Sequence, residues 1–534
     1  MNRVIIYDTT LRDGMQGTGI NYTLEDKIQI ALALDELGID YIEGGFPLSN
    51  RKEADFFRRI RQENLKHAKI ASFGSTRKPD VPVDEDLNIR ALLDAETEAV
   101  TVVGKAWTEH VRHVLNTSLE ENIHMIRDSI LYLKQAGKEV IFDLEHFFDG
   151  YKDDPAYALE VLHAGSEAGA DALVLCDTNG GTLPSEVRSI IAALPQGELK
   201  PLGVHFHNDT GTAVASSLAA VETGAVHVQG TVNGWGERCG NANLCVLIPN
   251  LCLKTKAEGM VCSSLQHLTS LSRFVAEKAN IIPDKRQPYV GEAAFSHKAG
   301  QHADVIAKAP RLIEHIPGSL VGNERKLLLS ELAGKSTVVK KLRKYGDFTK
   351  DSTEVRSLTA ELKHLEEEGY EYEAAEASFD LIIRRHLGRY VPLPELQNYH
   401  LESFKSGDSH AKTVGRIFLK TAEGKSLMGA AAGFGPVETL DRCLRDALLP
   451  GHPFLRRIKL IDYAVRVLNP EEAAAARVRV FITSSDGQKS WETVGVSENI
   501  VEASWQALVD GMEYYYNESL DNGDLKNGES APAS

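Results

Sequence analysis

The chain has 534 residues and a formal net charge of −17, from 59 Lys and Arg against 76 Asp and Glu. A balance of that sign argues against nucleic acid as the main partner, because phosphate binding needs a basic face. No apolar run approaches the ~20 residues needed to cross a bilayer, so no membrane association is expected. The six cysteines include no Cys-x-x-Cys pair, which predicts reduced thiols rather than a zinc–cysteine site. With no signal-peptide pattern at the start of the sequence, the expected location is cytoplasmic.

In chain order, the predicted strands are Val4–Tyr7, Tyr41–Gly44, Lys69–Phe73, Ala99–Val103, Glu139–Leu144, Ala172–Leu175, Leu202–His207 and Val226–Val232. Between them lie predicted amphipathic helices over Thr23–Leu37, Lys52–Gln62, Asp86–Ala95, Ser118–Ala136, Pro155–Ala168, Ser185–Leu194 and Ala213–Thr223. Such a strand–helix alternation predicts an α/β fold, a (β/α)8 TIM barrel over residues 1–262, with a doubly wound open sheet as the alternative. Residues 263–397 read as mostly helical linker subdomains, with charged amphipathic helices at Ser357–Glu368 and Glu373–His386. Residues 398–520 return to strands (Thr413–Thr421, Ser426–Ala432, Lys459–Leu468, Arg477–Ser484, Glu492–Val496) and helices (Pro436–Leu448, Ile500–Tyr516). Two strand-then-helix units predict an α/β module with an internal pseudo-repeat. Residues 521–534 are polar and rich in small residues, which predicts a disordered tail.

The strongest chemical signal is His205-Phe206-His207 in the seventh strand. Side chains at i and i+2 share one face of a strand, so both imidazoles point into the barrel or its mouth. That arrangement suits a divalent metal; two hydrogen-bonded core histidines are the alternative. Asp13 follows strand one, which neighbours strand eight and then strand seven in a closed barrel, so it can converge with the histidines. Asn241, just past strand eight, can add a fourth ligand or a supporting contact. An Asp–His–His set with oxygen and nitrogen donors suits Mn, Mg, Zn or Fe(II), with Mn, Mg or Zn expected. Arg12 can bind a carboxylate or stabilise an enolate oxygen. Glu145 and Thr178 follow strands five and six at the mouth where barrels place reactive groups. Glu43 ends strand two and can join the polar floor. Asp143 and Asp177 fit turn-forming roles equally well. No G-x-G-x-x-G opens a helix after a strand and no P-loop is present, so carbon–carbon chemistry here must be polar.

At Leu11-Arg12-Asp13-Gly14, His205-Phe206-His207-Asn208-Asp209 and Gly234-Trp235-Gly236-Glu237-Arg238-Cys239-Gly240-Asn241-Ala242-Asn243 the sequence resembles the DRE-TIM metallolyase family. Within it, the 2-isopropylmalate, homocitrate and citramalate synthases are the most similar branch. Glu145-His146-Phe147-Phe148-Asp149-Gly150-Tyr151-Lys152 and Gly369-Tyr370-Glu371-Tyr372 look like the citramalate synthases. Gly433-Phe434-Gly435-Pro436 and Gly495-Val496-Ser497-Glu498-Asn499 resemble the LeuA-type allosteric and dimer domain.

The resemblance implies an acyltransferase of Claisen type, with acetyl-CoA and pyruvate as substrates, isoleucine as feedback inhibitor and a homodimer or larger assembly. It implies Asp13, His205, His207 and Asn241 as metal ligands, and Arg12, Glu145 and Thr178 as residues that hold and activate the keto acid, beside the Glu43 that its place on strand two offers for substrate binding. His302 matches a linker histidine that assists deprotonation of the acetyl methyl. Leu144 stands where some relatives place Tyr, which would reshape the pocket wall; Met15 stands where relatives often carry Thr or Glu. The rival substrates are 2-ketoisovalerate (2-isopropylmalate synthase) and 2-ketoglutarate (homocitrate synthase). Discrimination per methylene is only ~1–3 kcal/mol, so one or two side chains decide between the smaller of these. An amino-acid sensor with a dead barrel is the reading from another class. The intact Arg12, Asp13, Glu145, His205 and His207 set argues against it.

Overall fold

The computed structural model describes residues 3–523 except 196, 198, 256, 298–308, 328–334, 373, 408–409, 470–475 and 488. The chain forms two compact units, Met1–Ser296 with Glu314–Lys326, and His297–Ile313 with Leu327–Ser534.

The first unit is a closed barrel of eight parallel strands in sequence order. They are β1 (Ile5–Asp8), β2 (Tyr41–Gly45), β3 (Lys69–Ser75), β4 (Ala99–Lys105), β5 (Glu139–Glu145), β6 (Ala172–Asp177), β7 (Leu202–Phe206) and β8 (His227–Gly230). The connecting helices are α1 (Leu24–Leu37), α2 (Arg51–Ile60), α3 (Leu87–Asp94), α4 (Leu119–Gln135), α5 (Pro155–Glu167), α6 (Pro184–Ala193) and α7 (Ala213–Glu222). The barrel, not the open sheet, is thus the fold, closed where Ile5–Asp8 pairs with His227–Gly230.

Period-two alternation divides the strands between two cores. Outward residues such as Ile6, Ile42, Val102, Phe142, Leu175, Val204 and Val228 pack under the helices. Inward residues Tyr7, Tyr41, Ala71, Ala99, Ile141, Val174 and Cys176 fill the barrel. The helix starts carry their signals: Thr23 and Asp26 form a capping box on α1, and Asp154 caps α5 ahead of Pro155. Gly38, at φ 88°, ends α1 in the left-handed region that favours glycine.

Two expectations fail between Leu251 and Leu327. Cys252 and Cys262 are joined by a disulfide, with Cα atoms 5.4 Å apart. Spacing alone gave no sign of it, because the turn from Leu251 to Ser263 folds the two back on one another. The helical pattern expected across 263–397 holds for α8 (Leu268–Ala279) but then lapses. From Asn280 to Leu327 the described residues run mainly in turns, two short 3-10 turns (Pro310–Leu312, Gly318–Val321) and two-residue strand pieces.

The second unit resumes with α9 (Lys335–Leu342), α10 (Thr353–Glu367) and α11 (Glu376–His386). Gly369, at φ 102°, makes the break between the last two. The pseudo-repeat is a doubled β-β-β-α unit. Antiparallel strands β9 (Glu395–Phe404), β10 (Lys412–Lys420) and β11 (Ser426–Gly433) precede α12 (Pro436–Leu448). Strands β12 (Lys459–Val467), β13 (Val478–Ser485) and β14 (Ser490–Ser497) precede α13 (Ile500–Asp521). β9 escapes sequence reading because it is mostly exposed and polar. Of the predicted tail, residues 521–523 finish or follow α13 and the rest lie outside the described residues. Among the described residues no helix is long and apolar enough to cross a membrane.

Candidate metal centre at the barrel mouth

The end of β1 sets the first ligand. The buried Asp8 carboxylate accepts from Thr10 N (2.9 Å) and Thr10 Oγ1 (2.7 Å), folding the chain into a tight turn. Thr10 Oγ1 in turn accepts from Val232 N at 2.9 Å, tying that turn to the segment after β8. Arg12 and Asp13 follow directly and are held at the seam. Sequence reading placed both histidines on β7. The strand ends at Phe206, and His207 is kept on the same side by an isolated bridge to Asn241. Asn208 N donates to Gly240 O (2.8 Å) and Ala242 N to Phe206 O (3.0 Å), which anchors the Gly234–Asn243 loop beside β7.

That loop needs its glycines where the backbone is left-handed or crowded. Gly240 has φ 86°, and a Cβ there would strike Gly234 O. A Cβ on Gly236 would occupy the place of the Asn241 Oδ1 atom.

The result is a buried cluster. Asp13 Oδ2 lies 3.2 Å from His205 Nε2 and 3.8 Å from His207 Nε2. One ligand atom from each of these three residues falls within 4.8 Å of the others. Asn241 Nδ2 is 3.1 Å from Asp13 Oδ2 and 3.0 Å from His205 Nε2. Asp13 Oδ1, Asn241 Oδ1 and His207 Nδ1 are buried and have no hydrogen-bond partner among the described residues. Buried polar atoms left unpaired are costly, and a cation beside them would satisfy the oxygens. Mixed carboxylate, imidazole and amide donors fit a divalent ion of the Mg, Mn or Zn kind.

Charge is balanced around the cluster. Arg12 donates from Nε to Glu43 Oε2 at 3.1 Å, sits 3.0 Å from the same oxygen through Nη2, and lies 3.3 Å from Asp13 Oδ2. Its guanidinium stacks over Phe73 at 4.1 Å. Burial raises the Asp13 pKa, but Arg12 and His205 outweigh it and hold the carboxyl well below its usual range. Burial drives His207 down to about 4, aided by the neighbouring His205. His205 is desolvated too, but the hydrogen bond and charge of Asp13 lift it above its ordinary value. Glu43 is raised by burial against the pull of Arg12.

The other predicted residues form a second group at the same strand ends. Glu145, last in β5, pairs with Lys105, last in β4. Thr178 Oγ1 accepts from His146 N at 2.9 Å, and its carbonyl accepts from Arg238 at 2.7 Å. His302 lies outside the described residues. Leu144 does not line the mouth: it points outward into the barrel–helix core, because Asp143 and Glu145 take the inward positions of β5. Asp177 proves to be a loop former, accepting from Thr182 N and Oγ1 at 3.0 Å each.

Sequence reading missed two features here. His110 and His146 lie ring to ring at 4.0 Å beside Trp107. Asp143 and Gln229 form a buried polar pair within the barrel. The parity that places Glu145 inward also places Asp143 inward, so that signal was present in β5.

An eight-stranded parallel barrel with such a donor set at its C-terminal mouth defines a metal-dependent barrel enzyme. The profile described as HMGL-like matches residues 3–275, "Homocitrate synthase post-HMGL domain-like" matches 289–370, and "LeuA allosteric (dimerisation) domain" matches 373–516. The chain belongs to the HMGL-like family. It groups there with proteins named (R)-citramalate synthase: that of Aquifex aeolicus is 48% identical over 96% of this chain and 97% of its own length. The Geobacter sulfurreducens protein of the same name is 47% identical over 97% and 98%. A probable 2-isopropylmalate synthase from Methanopyrus kandleri is more distant, 33% identical over 96% and 98%.

Proposed function

We propose that the chain condenses acetyl-CoA with pyruvate and water to give (R)-citramalate and CoA, as the first step of a route from pyruvate to isoleucine. The observation that carries the chemistry is the buried Asp13–His205–His207 cluster with the Arg12 guanidinium against it. The identity to citramalate synthases selects pyruvate over 2-ketoisovalerate. Asp13, His205, His207 and Asn241 would hold the divalent ion, with Mn, Mg or Zn all compatible with the donors. When bound there it supplies Lewis-acid polarisation of a keto group.

The chain's own residues do the rest. Arg12, fixed by Glu43 and Phe73, binds the keto-acid carboxylate or stabilises charge on its oxygen. Thr178 and Glu145 border the keto acid, with Glu145 close enough to Lys105 to share its charge. A base, with His302 as the candidate and Glu145 in support, removes a methyl proton from the acetyl thioester. The resulting carbanion attacks the ketone carbon, and water then cleaves the thioester to release CoA.

The proposal extends to organisation. The barrel at 1–262 carries catalysis, 263–397 links, and 398–520 binds isoleucine and pairs two copies. The exposed Leu460, Ile461, Val465 and Val467 of β12 offer apolar surface for that pairing. A cytoplasmic location follows from the substrates.

The test is thiol release from acetyl-CoA with pyruvate, 2-ketoisovalerate and 2-ketoglutarate in parallel. Turnover is expected with pyruvate and to fall when isoleucine is added. Preference for either other keto acid would overturn the substrate, and indifference to isoleucine would overturn the regulation.

A further inference from the structure

Three buried side chains on three strands form a line inside the barrel: Asp143 on β5, Gln229 on β8 and His205 on β7. Gln229 Nε2 donates to Asp143 Oδ1 at 3.0 Å, and Gln229 Oε1 lies 2.8 Å from His205 Nδ1. Gln229 is only 1% exposed, so water does not compete for either end. Above about pH 7, where Asp143 is a carboxylate, its oxygens accept and do not donate, so the amide NH2 faces it. The carbonyl end then faces His205, and a carbonyl also only accepts. The His205 hydrogen must therefore sit on Nδ1. The imidazole that binds a cation is neutral and carries one hydrogen, so in that form the hydrogen stays on Nδ1 and Nε2 gives its lone pair to the ion.

His207 lacks this support, since its Nδ1 has no partner among the described residues. The two histidines are thus unequal. One ring is locked as a donor to a cation, while the other is free to choose its tautomer.

We infer that Gln229, oriented by Asp143, is a positioning residue that keeps the His205 hydrogen on Nδ1 and so leaves Nε2 as the nitrogen that gives up its proton to a metal ion. The inference rests on the metal reading of the cluster given above. Among the described residues the Gln229 amide bonds to His205 and Asp143 and not to Asp13, His207 or Asn241, so it acts on the cluster through His205. Asp143 acts at one further remove. Without it the amide can rotate, present its NH2 to Nδ1, and select the imidazole form whose Nε2 cannot ligate.

The test measures Mn2+ affinity of the full-length protein without substrates, from the electron paramagnetic resonance signal of free Mn2+. Gln229→Met keeps the volume and removes the acceptor; it is expected to weaken binding about 10- to 100-fold. Asp143→Leu, which removes the group that orients the amide, is expected to weaken it in the same direction. The exchange variant, Gln229→Glu with Asp143→Asn, reverses the pair: a carboxylate now accepts from His205 Nδ1–H and from the new amide. It is expected to bind Mn2+ within about threefold of the parent, a rescue that a mere packing role for Gln229 does not predict.

Circular dichroism and the urea midpoint report folding of each variant. The exchange variant alone decides the matter if Gln229→Met does not fold. Parental Mn2+ affinity in a folded Gln229→Met, or an exchange variant bound 10-fold or more weakly than the parent, overturns the inference. So does a parent that binds no Mn2+, which removes the metal reading as well. A parent that binds Mn2+ and shows the expected variant pattern, yet releases no thiol with pyruvate, upholds the positioning role while refuting the synthase.

Discussion

Removal of the Arg12 guanidinium tests how the mouth is held together. Glu43 is fully buried, its Oε1 has no partner, and its Oε2 is bound only by Arg12 among the described residues. Arg12→Ala therefore strands a carboxylate in the barrel. Breaking a buried pair from one side costs about 3–5 kcal/mol, and loss of the contact with Phe73 adds about 1 kcal/mol. The barrel should lose about 4–6 kcal/mol. Arg12→Ala combined with Glu43→Gln removes the stranded charge and should recover at least half of that.

Urea unfolding in EDTA reads this without interference from metal binding. Fluorescence of Trp107 and Trp235 reports the first unit, with Trp491 and Trp505 replaced by Phe to silence the second. Activity should behave differently. Every variant without the guanidinium should lose about 10²–10³-fold in kcat, the stabilised double variant included. A cost below about 1 kcal/mol for Arg12→Ala, or a double variant no more stable than the single, would refute the reasoning.

Gly236→Ala is expected to displace Asn241 and lower thiol release at least about 10-fold while costing only about 1–3 kcal/mol, checked by kinetics beside urea melts. Asp143 titrates near about 7 in the fold, raised first by burial and then by the charge of Glu43, against about 3.9 when unfolded. The stability it contributes in the protonated form is therefore complete below about pH 4 and is lost as pH rises to about 7. Asp143→Asn should gain on the parent by a few kcal/mol across that window and no further above it; parallel pH–stability curves for the two would contradict this. Dialysis against EDTA should abolish thiol release and Mn2+ should restore it, whereas Asp13→Asn should stay inactive after Mn2+ is added.

The barrel was legible because its strands alternate in step with its helices, and each predicted element there lies within two residues of the observed one. Asp13, His205 and His207 were legible because strand order in a closed barrel brings β1, β8 and β7 together. What stayed hidden depends on surroundings rather than on order. Asp143 and Gln229 look like ordinary strand polars until their neighbours are known. Leu144 was placed in the pocket wall from the Tyr that some relatives carry there, although the alternation of β5 turns it away from the mouth. β9 carries too few buried residues to leave a periodic trace, and the Cys252–Cys262 bond depends on a chain reversal that spacing does not encode.

Asp13 and Asn241 are 228 residues apart, yet they share one hydrogen bond across the closing seam. Every half of this barrel, cut anywhere between them, is chemically incomplete. A nascent chain still lacking β7 holds one ligand at one end and no partner for it, so it cannot capture metal or act early on thioesters. Each ion bound to the finished ring becomes a clasp on its first and last strands, which is why depletion of metal should loosen that joint before any other.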